Sequence, residues 1–209
     1  MASVRTPIIF VVDDYAPLRR SISRLLHAAG FVVVAFASAE EFLAQYDPGV
    51  WGCLVLDVAM PALNGLELQR ILAQAGSLLP IIFLTGEGDI PKTVRAMKYG
   101  ASDFLTKPVN DEDLLAAVRA AIAKHRARRQ VEAQLSEIRA RLATLTPRER
   151  EVLEYVIAGK LNKQIAGDIG TVEQTVKVHR ARVMQKMRVR SVAELVRLTE
   201  RCGINGRAH

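Results

Sequence analysis

Cysteine is scarce. The 209 residues hold two, Cys53 and Cys202, far apart and with no His or Cys cluster around either. That excludes a disulfide framework and the usual zinc spacings, and a reducing cytosol is the expected setting. Long apolar runs are also missing. No stretch approaches the ~18 residues needed to span a bilayer. The N-terminal MASVRTPIIFVVDD breaks off at two acids, without the longer apolar core and small-residue cleavage site of a signal peptide. Long repeats and low-complexity tracts are absent as well. A soluble intracellular protein with no membrane partner is expected. Half of the residues are hydrophobic, ample for a packed core in one or two domains.

What is present is unevenly placed. Residues 1–125 carry 11 Lys/Arg against 13 Asp/Glu, whereas residues 126–209 carry 18 against 9. A mildly acidic half joined to a strongly basic one points to two domains with different partners, the basic one meeting a polyanion.

In the first half, apolar runs at 8–12, 32–36, 54–56, 81–84 and 104–105 alternate with helix-period segments at 16–29, 39–45, 65–75, 90–98 and from 111 onward. Leu18, Ile22, Leu25 and Leu26 share one helix face. Gly30, Gly76 and Gly100 stand just past helix ends, where a left-handed residue is needed. Strand–helix repetition with short connections predicts an α/β fold, a doubly wound five-stranded parallel sheet of order 2-1-3-4-5. Near Arg126 the strands stop. Val131, Leu135, Ile138, Leu142 and Leu145 then recur at steps of 4, 3, 4 and 3, which reads either as a linker helix packing on its own domains or as a dimer seam. From Thr146 only helices are expected. Thr146, Pro147 and Glu149 form a capping pattern, and helices follow over 147–158, 162–169, 172–187 and 192–201. Gly170 turns the chain between the second and third, the form of a helix-turn-helix in a basic segment.

The stretch CLVLDVAMPALNG drives an apolar run into Asp57. In an open parallel sheet, ligands bind beyond the carboxyl ends of the strands. Asp13 and Asp14 end the first strand, Asp57 the third, Thr85 the fourth, and Lys107-Pro108 the fifth; Pro108 is a candidate for a cis bond. Any one of these residues alone is ordinarily structural. Together they place three carboxylates at one edge, a set suited to a hard divalent cation, with Mg²⁺ expected, completed by water and a backbone carbonyl. Lys107 adds a positive charge opposite, and Thr85 a hydroxyl. The set suits transient phosphorylation of Asp57 as nucleophile.

VVDD, LVLDVAMP, IIFLTGEGD and FLTKP resemble the receiver domain of bacterial response regulators, which has a flavodoxin-like fold. LTPREREVLEYVIAGKLNKQIAGDIG followed by TVEQTVKVHRARVMQKM resembles the LuxR-type output domain of the NarL/FixJ subfamily. The resemblance implies a receiver over 1–125, a helical linker over 126–143, and an all-α helix-turn-helix DNA-binding domain over 144–209. It makes Asp57 the phosphoacceptor, Asp13 and Asp14 the acidic pair at the Mg²⁺ site, and Ala59 the source of a backbone carbonyl to the metal. It assigns Thr85 and Lys107 to the phosphoryl group, and Phe104 to the switch aromatic. Tyr15 stands where many relatives carry a third acid. Phe104 lacks the hydroxyl of the commoner Tyr, and Ala59 and Glu87 take positions that tune phosphoryl lifetime. A sensor histidine kinase, promoter DNA and RNA polymerase are the implied partners. A phosphorylation-driven homodimer is implied too, with Ile90, Val94 and Met97 on the switched surface, Leu135 in the seam and Leu195 in the last helix, which otherwise packs within its own domain.

On a helical wheel, Val172, Val176, His179, Val183 and Met187 share the side expected to face the core. Gln174, Lys177, Val178, Ala181, Gln185 and Arg188 lie opposite. Lys177 suits guanine, Gln174 suits adenine, and Val178 or Ala181 suits a thymine methyl. Arg180, Arg182 and Lys163 are expected on phosphates, His179 reads as a satisfied, half-buried histidine rather than a base reader, and Lys186 as either solvated or on DNA. A membrane-surface helix would need a wide unpartnered apolar face, which the neighbouring amphipathic helices already match. A phosphatase with an aspartyl nucleophile would carry an acid two residues after it, where Ala59 stands, so no separate substrate is expected. A DNA-binding protein with a degenerate receiver is opposed by the complete acceptor set.

Overall fold

The computed structural model describes residues 6–86 and 101–204. The expected helix over 90–98, with Ile90, Val94 and Met97, lies outside them, as do Glu87 and Gly100.

Strands β1 (Ile8–Val12), β2 (Val32–Phe36), β3 (Gly52–Asp57), β4 (Ile81–Thr85) and β5 (Asp103–Thr106) form one parallel sheet in the order β2-β1-β3-β4-β5. The apolar runs are uninterrupted because helices cover both faces. Ile9, Val11, Cys53, Val55, Ile82 and Leu84 point to α1 (Ala16–Ala28) and the start of α4 (Asp111–Ala143). Their neighbours Phe10, Val12, Leu54, Leu56 and Phe83 point to α2 (Ala39–Gln45) and α3 (Gly65–Gln74). β3 is buried along its whole length, and its register sets Leu56 beside Val12 and Asp57 beside Leu84. Gly30 and Gly76 have φ of +86° and +71°, the left-handed geometry expected of them.

The chain divides into two compact units, Met1–Arg129 and Gln130–His209. In the second, α5 (Pro147–Ile157), α6 (Asn162–Asp168), α7 (Glu173–Met187) and α8 (Val192–Glu200) enclose a core around Val152, Leu153, Ile165, Val176 and Val183. The cap at Thr146 closes both ways: its hydroxyl accepts from the Glu149 amide at 3.3 Å, and its amide donates to the Glu149 carboxylate at 2.9 Å. Gly170, with φ +65°, turns the chain between α6 and α7.

Three expectations change. The 4-3-4-3 series divides, because Ile138, Leu142 and Leu145 are buried in the second unit's core while Val131 is 55% exposed and Leu135 half-buried. Leu195 is fully buried in that same core, so it has no surface left to offer a partner. Val172 is 66% exposed rather than core-facing. It is the N-cap residue, with extended backbone, and so lies off the helix wheel.

Candidate functional site

β1 and β3 end side by side, so the residues that follow each strand meet at one edge. Asp13 is fully buried and Asp57 is 5% exposed; with the exposed Asp14 they bring one carboxylate oxygen each within 4.8 Å of one another. Local bonds fix each acid. Asp13 Oδ1 accepts from the Tyr15 amide at 2.8 Å, and Asp57 Oδ1 accepts from the Ala59 amide at 3.3 Å. Lys107, after β5, sends its Nζ to Asp13 Oδ2 at 3.0 Å and Asp57 Oδ2 at 3.1 Å; the Lys107–Pro108 bond is cis. Thr85, buried at the end of β4, donates its hydroxyl to the Gly86 carbonyl at 3.2 Å. Half-buried Phe104 packs on Phe83, with ring centroids 5.5 Å apart.

Burial pushes the Asp57 carboxyl above its ordinary pKa against the pull of Lys107. For Lys107, burial works against the charged amine, but its hydrogen bonds to Asp13 and Asp57 outweigh that and hold the pKa above the ordinary value. Like charges confined this closely need a counter-charge. The oxygen-only donor set, with its partly exposed side at Asp14, suits a hard divalent cation.

Two contributors carry no signal separating them from their neighbours in the sequence. Arg19 on α1 donates from Nη1 to the Asp13 carbonyl at 2.6 Å and the Asp14 carbonyl at 3.3 Å, so it holds the loop that carries the acidic pair. Adjacent Arg20 looks identical as a residue type. Gly65, the first residue of α3, lies so close to β3 that a Cβ there would stand 2.3 Å from the Asp57 carbonyl oxygen. The capping residue Asn64 marks the helix start, but only the fold shows that the glycine hydrogen is what lets α3 reach the acid.

In the second unit, Gln174, Lys177, Val178, Ala181 and Gln185 are all exposed on α7, as are Arg182 and, on α6, Lys163; Arg188, expected on the same face, is exposed too but follows the helix as its left-handed C-cap. Among the described residues, Lys177 pairs with Glu173 of its own helix, at 3.2 Å. Arg180 is half-buried and donates to Asn162 Oδ1 at 3.1 Å, tying α7 to α6. His179 is half-buried as expected, but its Nδ1 has no hydrogen-bond partner among the described residues, so it is not the satisfied histidine expected. Lys186 is one-third exposed, and its Nζ is paired within the unit, 2.6 Å from buried Glu149 and donating to the Thr144 carbonyl at 3.0 Å. No helix among the described residues is long and apolar enough to cross a membrane.

Comparison with known proteins matches residues 9–119 to the response regulator receiver domain and residues 143–199 to the bacterial regulatory proteins of the luxR family. The chain is 49% identical to nodulation protein W of Bradyrhizobium diazoefficiens over 198 residues, covering 95% of this chain and 87% of that one. It is 45% identical to the transcriptional regulatory protein FixJ of the same organism, covering 94% and 96%. Among solved structures, the response regulator StyR superposes with a TM-score of 0.86 at 46% identity, covering 93% of this chain and 98% of that one. Full-length FixJ from B. japonicum gives 0.58 at 45% identity, covering 94% and 97%. An acid cluster at the strand ends of a receiver fold, followed by a LuxR-type helical domain, places this chain among the NarL/FixJ-type response regulators, two-component regulators of transcription with a receiver and a DNA-binding domain.

Proposed function

We propose that a partner histidine kinase phosphorylates Asp57, and that the modification switches homodimerisation and sequence-specific DNA binding. The observation that carries this reading is the convergence of Asp13, Asp14 and Asp57 within 4.8 Å, with Lys107 3.0–3.1 Å from two of them. An Asp57 carboxylate oxygen attacks the phosphorus of a phosphohistidine. The P–N bond breaks, and the imidazole leaves with its electron pair and takes up a proton. Asp13, Asp14, Asp57 and the Ala59 carbonyl would hold Mg²⁺, whose charge offsets that of the phosphoryl oxygens. Lys107 pairs with a phosphoryl oxygen in place of a carboxylate, and the Thr85 hydroxyl turns from Gly86 toward the new group. Phe104, already against Phe83, then turns further inward. The surface carrying Ile90, Val94 and Met97 rearranges and favours a dimer, with Leu135 as a further contact, and two output domains engage paired half-sites. Lys177, Gln174, Val178 and Ala181 read bases; Lys163, Arg180 and Arg182 hold phosphates. RNA polymerase is a further partner at the promoter, the setting is the cytoplasm, and the chain acts on no separate substrate.

The test is DNA binding and oligomeric state with and without Mg²⁺ plus beryllofluoride, for wild type and Asp57→Ala. The mimic should drive wild type alone into tighter-binding dimers. Equal binding by both proteins, blind to the mimic, would leave only the DNA-binding half of the reading.

A further inference from the structure

We infer that Arg141, which stands before the first helix of the helix-turn-helix, is a positioning residue for base reading: it fixes the C-terminal end of α7. The inference rests on α7 being the DNA-reading helix. Among the described residues, the base-reading side chains of α7 bring no strap of their own: Lys177 pairs with Glu173 of the same helix at 3.2 Å, and α7 is tied to α6 from the flank, where Arg180 donates to Asn162. The angle at which their face meets a groove is therefore set from behind, from that flank and from the ends.

The back of α7 packs Val176, Val183 and Met187 into the core that also takes Ile138 and Leu142 from the end of α4. At the C-terminus, the last carbonyls of a helix lack partners within it. The chain itself satisfies two of them: the Val189 amide donates to the Met184 carbonyl at 3.1 Å, and the Arg188 amide to the Gln185 carbonyl at 3.1 Å. Arg188 adopts φ +55° to make that turn. The Met187 carbonyl is taken by Arg141, whose Nη1 donates at 3.1 Å across 46 residues of sequence. Its Nη2 is steered by Glu137 at 2.6 Å. Most of the Arg141 side chain is covered, at 21% exposure. A cation at this end also meets the negative pole of the helix. Lys186 returns the bond in the other direction, from α7 to the Thr144 carbonyl and Glu149.

Hydrogen bonds to base edges demand placement within about 0.5 Å, whereas exposed, flexible cations follow a phosphate over a larger range. Loss of the Arg141 bond therefore weakens reading of a specific sequence and spares nonspecific adhesion.

The experiment takes the full chain with beryllofluoride and uses two probes: the duplex that wild type enriches from a randomised pool, and an unrelated duplex of equal length at the same salt. Arg141→Met keeps the apolar stem and removes the donors; Arg141→Lys restores a cationic donor. Thermal unfolding confirms that each variant is folded. Arg141→Met should lose about tenfold on the enriched duplex, the scale of one misread base pair, and under about twofold on the unrelated one. Arg141→Lys should recover most of the loss. Equal losses on both duplexes, or none on either, overturn the inference. Lys177→Ala separates the two levels. If it loses specific binding while Arg141→Met does not, α7 reads DNA without this strap. If neither variant matters, or wild type enriches nothing, α7 is not the reader, and the inference falls with that reading.

Discussion

Asp57 and Lys177 differ sharply in burial. Asp57 is 5% exposed, is held at both carboxylate oxygens, and owes its surroundings to residues brought in from the ends of β1 and β5. The Lys177 side chain is 54% exposed and, among the described residues, pairs within its own helix. In the receiver, chemistry is concentrated in a charged cluster whose parts are distant in sequence, so the geometry must be preset. In the output unit the side chains proposed to read DNA share one helix and stand exposed, and the ordered charges, Glu149 with Lys186 and Arg141 with the Met187 carbonyl, sit behind them. A rigid charged centre suits a group that must be stabilised where it lands. A free face on a fixed helix suits a partner that brings its own charge.

The contrast breaks most completely at the acid. Asp57→Asn should abolish labelling by a small-molecule phosphodonor, read on a phosphate-retarding gel, while DNA binding without the mimic persists. Gly65→Ala pushes a Cβ against the Asp57 carbonyl. Overpacking of this kind costs about 1–3 kcal/mol, and a lowered receiver melting temperature with weakened beryllofluoride binding should appear together. Lys177→Ala should cost about 1–3 kcal/mol on the specific duplex and leave receiver stability unchanged, as measured by DNA titration and melting.

Smaller effects sharpen the comparison through pH. Glu149 is held below its ordinary pKa, first by the Lys186 hydrogen bond and then by the Thr146 amide. Its stabilisation is present above the unfolded value of about 4.3 and is lost as pH falls through the folded one. Glu149→Gln should cost about 1–2 kcal/mol at pH 7, with the difference from wild type closing in acid melts. His125, buried in the receiver with Nδ1 2.9 Å from the Gly52 carbonyl, is lowered first by burial and further by Arg129 and Arg128, against the pull of that hydrogen bond. It favours the neutral ring in the folded state, so receiver stability should be complete above pH 6.5 and decline below it. His125→Asn should flatten that decline in melts across pH 5 to 8.

Much of this was legible from residue order. The strand runs, the helix periods, the Thr146 cap and the identity of the strand-end residues are local patterns, and local patterns decide backbone conformation. The division of α7 into a buried and an exposed side followed from 3.6-residue periodicity, except at its two ends, where Val172 precedes the helix and Arg188 follows it. Arg19 could not be told from Arg20, nor Arg141 from any other arginine of the basic linker, because a long side chain's partner is set by what the fold brings near it.

Among the described residues, the sequence by itself determined which elements form, in what order, and which acids stand at the strand ends, because these depend on neighbours a few residues away. Only the tertiary structure decided that Lys107 bridges Asp13 and Asp57, that Lys186 turns back to Glu149, that Leu195 is core, and that α3 needs Gly65 to reach Asp57. Each of those is a contact between residues far apart in the chain, and its distance is set by the packing of whole elements rather than by any residue's own preference.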